Sequence, residues 1–280
     1  MLGDIQVATR YSELFAACGL TSLASMMGYA SCQLDKPGLP NWRERVRMEL
    51  TNAGGQTVTL FLKRYRSPPL RAQLDRALAG SVRHGTAWIE WYWMGRLSTD
   101  GLSVAKPVAF GESMRGGREQ ASMVVAEPAQ GISLEAWALG RRDRCSRAMI
   151  DELGAFIGRF HRLGYVHRDL YLSHVFYDET TLPHDRFQLI DLQRVMKPAW
   201  LRRRWMVKDL AALNYSTPRR IATAADRVRF LRRYLDSQRL GSSGKRLARR
   251  VHAKTNRITR HDRRREQRLG VASRRAEHRE

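Results

Sequence analysis

Two short segments constrain this chain more than anything else in it: His167-Arg168-Asp169-Leu170-Tyr171-Leu172-Ser173-His174, and Leu189-Ile190-Asp191-Leu192-Gln193-Arg194. A His-Arg-Asp tripeptide arises by chance in roughly one or two of a hundred chains this long, so its surroundings have to carry the argument. Upstream, Ile150, Leu153, Ile157, Phe160 and Leu163 recur at helical spacing, and Gly164 follows as a C-terminal cap. Tyr165 and Val166 lead into His167. Downstream, Val175-Phe176-Tyr177 reads as a strand, Asp185 lies in a polar turn, and the run from Phe187 to Leu192 reads as a second strand that delivers Asp191. The predicted order is helix, loop carrying Asp169, hairpin, and a strand carrying Asp191, with the two carboxylates 22 residues apart.

Taken singly, Asp169 reads as a loop carboxylate paired with Arg168, and Asp191 as a cap at a strand end. Taken together they resemble a protein-kinase-like centre, in which one carboxylate orients an attacking hydroxyl and a second, on another loop, holds magnesium against nucleotide phosphates. That resemblance implies an α+β, protein-kinase-like two-lobed fold with a small β-rich N-terminal lobe and a mainly helical C-terminal lobe.

The first half of the chain has the pattern such a small lobe needs. Residues 45–50 alternate with period two, 51–56 form a Gly-containing turn, and 57–65 resume as a strand, so a hairpin is predicted. Lys63, near the end of that second strand, is either a solvated strand-end lysine or one that reaches the α- and β-phosphates of a nucleotide. Helices are expected over 69–78 and 86–97, and in the second Glu90 shares a face with Trp93, Met94 and Leu97. A carboxylate on an inward face needs a cation. Lys63 is the natural candidate. Gly54 and Gly55, in the turn Asn52–Gln56, are expected to cradle phosphate, although the turn is not a G-x-G-x-x-G. A strand and turn are expected over 103–112 and a strand over 121–127. The break at Pro128–Gly131 then puts the backbone of Glu127 and Ala129 where an adenine would pass.

With 280 residues, 43% of them hydrophobic, and seven Trp, the chain can bury the core of one large domain or two lobes. Its 50 Lys+Arg against 27 Asp+Glu give +23 and a pI near 11.0, which implies a polyanionic environment. Cys18, Cys32 and Cys145 lie too far apart for a zinc or disulfide framework, so a reducing cytoplasm is the expected home. The uncharged run from Leu14 to Cys32 is interrupted by Gly19, Thr21, Ser22, Ser25 and Gly28, which excludes a signal peptide or a membrane span. It predicts two short helices, one beginning after Ser12 and one capped by Thr21. The expected division is a helical extension over 1–40 ending in the two-proline linker Lys36–Asn41, an N-lobe over 41–127, a C-lobe over 128–243, and a basic tail over 244–280. That tail holds 14 Lys+Arg and 4 Asp+Glu, and is expected to be partly helical or flexible. It would bind acidic phospholipid or nucleic acid in a salt-sensitive way. No recognition motif accompanies the charge, so nucleic acid is not the expected partner.

Past Asp191 come Arg202, Arg203 and Arg204, then a helix expected from Val207 to Tyr215 that carries Asp209. Only 17 residues separate the two aspartates, too few for a peptide-binding platform, which favours a small or carbohydrate acceptor. Asp209 is expected to brace the catalytic loop.

From about Trp42 to Tyr234 the chain resembles the lipopolysaccharide kinase family that phosphorylates Kdo or heptose of the inner core. The resemblance rests on HRDLYLSH, which is similar to the family's His-Arg-Asp-x-Tyr-x-x-His, on IDLQR, and on the Lys208-Asp209-Leu210 step. His174, where a protein kinase has Asn, favours heptose over Kdo. The resemblance implies ATP and Mg2+, with Asp169, His167 and Arg168 catalytic and Asp191 on the metal. Lys63, positioned by Glu90, would hold phosphates, and His174 would serve either a phosphate or the loop itself. It also implies a glycolipid acceptor and a cytoplasmic protein peripheral to the anionic inner face of the inner membrane. The alternatives are a kinase of the aminoglycoside-phosphotransferase type and a pseudokinase or basic scaffold.

Overall fold

Strand β1 (Gln6–Val7) and helices α1 (Ser12–Ala17) and α2 (Leu23–Gly28) precede the hairpin of β2 (Arg43–Thr51) and β3 (Thr57–Arg66) in this computed structural model. Helices α3 (Leu70–Leu78) and α4 (Thr86–Thr99) follow, and then the hairpin of β4 (Pro107–Arg115) and β5 (Arg118–Ala126). The structure describes residues 4–30, 40–52, 54–78, 81, 83–140 and 144–277. Of the expected 36–41 linker, residues 36–39 lie outside these, as do Cys32 and Ala53. The chain divides into two compact units, Met1–Gln130 with Gln188–Arg194, and Gly131–Phe187 with Val195–Glu280.

In the first unit the strands form one antiparallel sheet in the order β1-β4-β5-β3-β2. The alternation read in β2 is real: Val46, Met48 and Leu50 are buried while Arg47 and Glu49 face water. Ile5, Phe15, Leu23 and Met26 from the N-terminal segment share a core with Val46, Leu60, Leu62 and Val125 of the sheet. Each such fully buried side chain stabilises by about 1.5–3 kcal/mol. Helix α2 is capped by Ser22, one residue after the expected Thr21. Its side chain accepts the Ser25 N–H at 3.1 Å, and Asp4 accepts the Leu23 N–H at 2.8 Å. The β4–β5 hairpin turns at Gly116-Gly117, both at positive φ, a two-glycine turn that the hairpin rules would have flagged.

The second unit contains β6 (Ile132–Ser133), α5 (Leu134–Gly140), α6 (Arg147–Arg162) and β7 (Val175–Tyr177). After β8 (Phe187–Leu189), where the chain enters the first unit, come α7 (Arg202–Ser216), α8 (Ala224–Tyr234) and α9 (Ser242–Glu277). Gly154 and Gly158 let α6 approach α8, because a Cβ at either would stand 2.8 Å from the Phe230 carbonyl or 2.6 Å from that of Tyr234. Helix α7 begins five residues before the expected Val207. Arginines oppose the dipole at a helix N-terminus. Arg202 is accommodated because its guanidinium donates to the carbonyls of His161 and Arg162 at the end of α6. The basic C-terminal stretch is a single helix. Gly244, Leu247, Ala248, Val251, Thr255 and Ile258 are shielded along one stripe, and Asn214 of α7 donates to Thr255 Oγ1 at 2.9 Å. Among the described residues no helix is long and apolar enough to cross a membrane.

Candidate active site

In the first unit Lys63, Glu90 and Asp191 come together. Lys63 Nζ donates to both oxygens of Glu90, at 2.6 and 2.8 Å, and to Asp191 Oδ1 at 3.1 Å. Burial opposes the ammonium, but Glu90 and Asp191 outweigh it and hold the Lys63 pKa above its ordinary value. Glu90 reaches the lysine because α4 is fixed at its start. Gly85 N–H donates to Glu112 at 2.6 Å, Thr86 N–H to the fully buried Glu119 at 2.9 Å, and Ala87 N–H to Ser122 Oγ at 3.1 Å. Two carboxylates at a helix N-terminus also complement its dipole. Neither Glu112 nor Glu119 stands out in the sequence, since the strand pattern around them explains itself without a cap.

The strand before Asp191 is shorter than expected: β8 stops at Leu189, and Asp191 takes φ +58 before a turn of 3-10 helix at Leu192–Arg194. Aspartate is among the few non-glycine residues that enter the left-handed region, and here the turn is held by its surroundings. Gln193 Nε2 donates to Asp191 Oδ1 at 3.0 Å. In the turn before β3, the N–H groups of Gly54 and Gln56 donate to Asn52 Oδ1 at 3.0 and 2.9 Å, and that of Gly55 donates to the Asn52 carbonyl at 3.0 Å. Phosphate would have to draw these amides away from Asn52.

In the second unit His167, Arg168, Asp169 and His174 form one loop. Asp209, expected to brace it, is fully buried and accepts the His167 N–H at 2.6 Å and the Arg168 N–H at 2.7 Å. His161, which no motif in the sequence singles out, bonds the same carboxylate through Nε2 at 3.2 Å and Tyr234 Oη through Nδ1 at 2.9 Å. Burial first, and then the Asp209 charge, push the Tyr234 phenol well above its usual range. Arg168 has φ +71 and lays its guanidinium over the Trp205 ring at 5.1 Å. His174 donates from Nδ1 to the Asp169 carbonyl at 2.8 Å, since a carbonyl can only accept. The same carbonyl accepts the Tyr171 N–H at 2.9 Å. His174 therefore braces the main chain of Asp169.

Glu127 and Ala129 lie half-buried in the segment after β5, in the first unit. The Glu127 N–H donates to the Lys106 carbonyl at 2.9 Å. Its carboxylate accepts the Tyr11 hydroxyl at 2.7 Å and pairs with Arg10. Burial and this carboxylate push the Tyr11 pKa up to about 12. No local signal announces Arg10 or Tyr11, more than a hundred residues away in the chain.

The residues present suit a nucleotide and magnesium. Among the described residues no cluster of three or more His, Cys, Asp or Glu side chains could hold a metal unaided. Magnesium characteristically takes one or two carboxylates and completes its shell with phosphate oxygens and water, and Asp191 beside a lysine is such a donor.

The sequence profile of the Lipopolysaccharide kinase (Kdo/WaaP) family matches residues 40–234. The lipopolysaccharide core heptose(I) kinase WaaP of Pseudomonas aeruginosa is 34% identical over 154 residues, which cover 52% of this chain and 58% of that protein. The match thus spans less than two thirds of that relative. The enzyme of the same description from Escherichia coli K12 is 30% identical over 201 residues, covering 69% of this chain and 74% of that protein. A solved structure described as WaaP in complex with acyl carrier protein superposes with a TM-score of 0.66 at 24% identity, over 91% of this chain and 98% of that one. The α+β, kinase-like two-lobed fold is thereby shared. With most of its length matched by the family profile, this chain belongs to the lipopolysaccharide kinase (Kdo/WaaP) family.

Proposed function

We propose that the chain transfers the γ-phosphoryl group of ATP to a hydroxyl of an inner-core heptose of lipopolysaccharide, working in the cytoplasm at the inner face of the inner membrane. The observation that carries the proposal is the cluster in which Lys63 lies 2.6 Å from Glu90 and 3.1 Å from Asp191. It is the pre-organised charge set that phosphoryl transfer demands.

In this reading Lys63 holds the α- and β-phosphates and Glu90 keeps it aimed. Asp191 ligates magnesium, which when bound neutralises phosphate charge. Gly54 and Gly55 serve the phosphates after release from Asn52, while Glu127 and Ala129 offer backbone groups to the adenine. Asp169 orients the sugar hydroxyl and accepts its proton as the oxygen bonds to the γ-phosphorus. The bond from that phosphorus to the β-phosphate oxygen breaks, and ADP leaves. His167 and Arg168 fix the loop through Asp209, and His174 serves it as a main-chain brace rather than as a ligand.

Heptose is favoured by the relatives named core heptose(I) kinases and by His174, and a sugar acceptor by the short interval between Asp191 and Asp209. The test is a panel of acceptors offered with ATP: heptose-containing core, core truncated to Kdo, and aminoglycosides. Transfer confined to the heptose-containing core is expected. Transfer to an aminoglycoside instead would favour the rival small-molecule kinase, and no transfer to any acceptor would favour the scaffold.

An acyl carrier protein, the partner in the solved WaaP complex, is proposed as a second partner. An open cavity of about 1370 Å³ in the second unit, walled by Leu134, Trp137, Met149, Leu172, Leu210 and Leu231, suits an acyl chain. Co-elution with acylated but not deacylated carrier is expected, and equal binding of the two would contradict it.

A further inference from the structure

The segment Val195–Lys208 contains no acidic residue and carries Lys197, Arg202, Arg203, Arg204 and Lys208. At its tip Trp200 is 84% exposed and Leu201 65% exposed, two large apolar side chains adjacent in the chain and both turned to water. Scattered exposed hydrophobics are ordinary, but a neighbouring Trp-Leu pair bracketed by cations is not a pattern that core packing explains.

The tip stands on a firm base. Met196 and Val166 exchange backbone hydrogen bonds of 3.1 and 2.9 Å, and Lys197 Nζ lies 5.1 Å from the Tyr165 ring. Leu201 is held at φ +56, unfavourable for a leucine, and its carbonyl accepts the N–H groups of Arg204 at 2.8 Å and Trp205 at 3.3 Å. Arg202 is committed to the carbonyls at the end of α6, which leaves Arg203 and Arg204 as the exposed cations beside the tip.

We propose that this tip is a membrane anchor. Trp200 and Leu201 enter the interfacial layer of an anionic bilayer, and Arg203 and Arg204 meet lipid phosphates. Tryptophan suits that layer because its body is apolar and its N–H stays hydrated. Basic side chains add attraction that decays within a Debye length of the surface. Helix α9 offers a basic face as well, which adds attraction along 242–265. Two apolar side chains give weak, reversible attachment, which suits a catalyst that must move between acceptors. The Val166–Met196 pairing ties the tip to the chain three residues before Asp169, so docking and the catalytic loop share one brace.

The biological sense of the anchor rests on the glycolipid acceptor proposed above, whereas the binding itself does not. The test compares the full-length chain with a Trp200→Ser/Leu201→Asn variant, asparagine being chosen because it tolerates positive φ. Both are sedimented with vesicles of phosphatidylethanolamine and phosphatidylglycerol, and with phosphatidylcholine vesicles as the neutral control. Wild type should partition onto the anionic vesicles only, and the variant should bind them about tenfold or more weakly. Both should phosphorylate a lipid-free core oligosaccharide equally. Brominated lipids should also quench wild-type tryptophan fluorescence, and quench that of Trp200→Phe less. Equal partition of wild type and double variant would overturn the anchor and assign attachment to charge on α9. A difference in partition without any transfer to the core would leave the anchor standing and sink the kinase reading.

Discussion

Lys63 is a buried charge whose position depends on its neighbours. With Glu90 and Asp191 holding its pKa above 10.5, the ammonium is the favoured form at any ordinary pH. Replacing it by methionine strands the buried Glu90, at a cost of about 3–5 kcal/mol, and should abolish transfer. Because the lysine's pKa is raised on folding, its contribution is complete below the unfolded value near 10.5 and fades as pH climbs through the folded value. Denaturant titrations of wild type and Lys63→Met should therefore differ most at neutral pH and converge in strong alkali. Asp209→Asn leaves one of the two N–H groups now bound to the carboxylate facing an amide donor. It should cost about 1–3 kcal/mol and lower kcat with little change in KM for ATP, read from thermal denaturation and steady-state kinetics. The meeting of Lys63 with Glu90 is legible in the sequence, because Glu90 stands on a periodic inward face that needs a cation. Arg10 and Tyr11 are not legible, because a bond to Glu127 across most of the first unit leaves no trace in either neighbourhood.

At the scale of elements, close approach and capping decide what changes the fold tolerates. Gly131 has φ +73, and a Cβ there would stand 2.1 Å from the Tyr177 carbonyl. Gly131→Ala should therefore unfold the β6–β7 pairing, seen as loss of soluble expression or a sharply lowered Tm. Helix α8 begins with a capping box in which Thr223 and Asp226 satisfy each other's amides. The bonds from Thr223 hold the Asp226 pKa below its ordinary 3.8, so this stabilisation is present above that value and is lost as pH falls through the folded pKa. Asp226→Ala should cost about 0.5–2 kcal/mol at neutral pH and progressively less in acid, measured by urea unfolding. Most elements were legible to within a few residues, because their apolar residues follow one period. The start of α7 was not, because three arginines hide a first turn that only the carbonyls of α6 make tolerable. In α9 the shielded stripe is sparse, so apolar spacing alone does not separate a packed helix from a flexible basic arm.

At the scale of the whole molecule, a charge of +23 suits the polyanionic acceptor of the proposed function, and the chain belongs to a family of lipopolysaccharide kinases. Composition alone allowed nucleic acid, membrane or glycan. The profile match over residues 40–234 is what favours the glycan in the proposed function, because charge is a property of a surface and chemistry a property of a site. The most direct test is mass spectrometry of unphosphorylated heptose-containing core after incubation with ATP, magnesium and purified protein. One phosphate should appear, on heptose, with wild type and not with Asp169→Asn, while both proteins still bind ATP. A core left unchanged by the folded, ATP-binding wild type, or modified equally by Asp169→Asn, would contradict the proposed function.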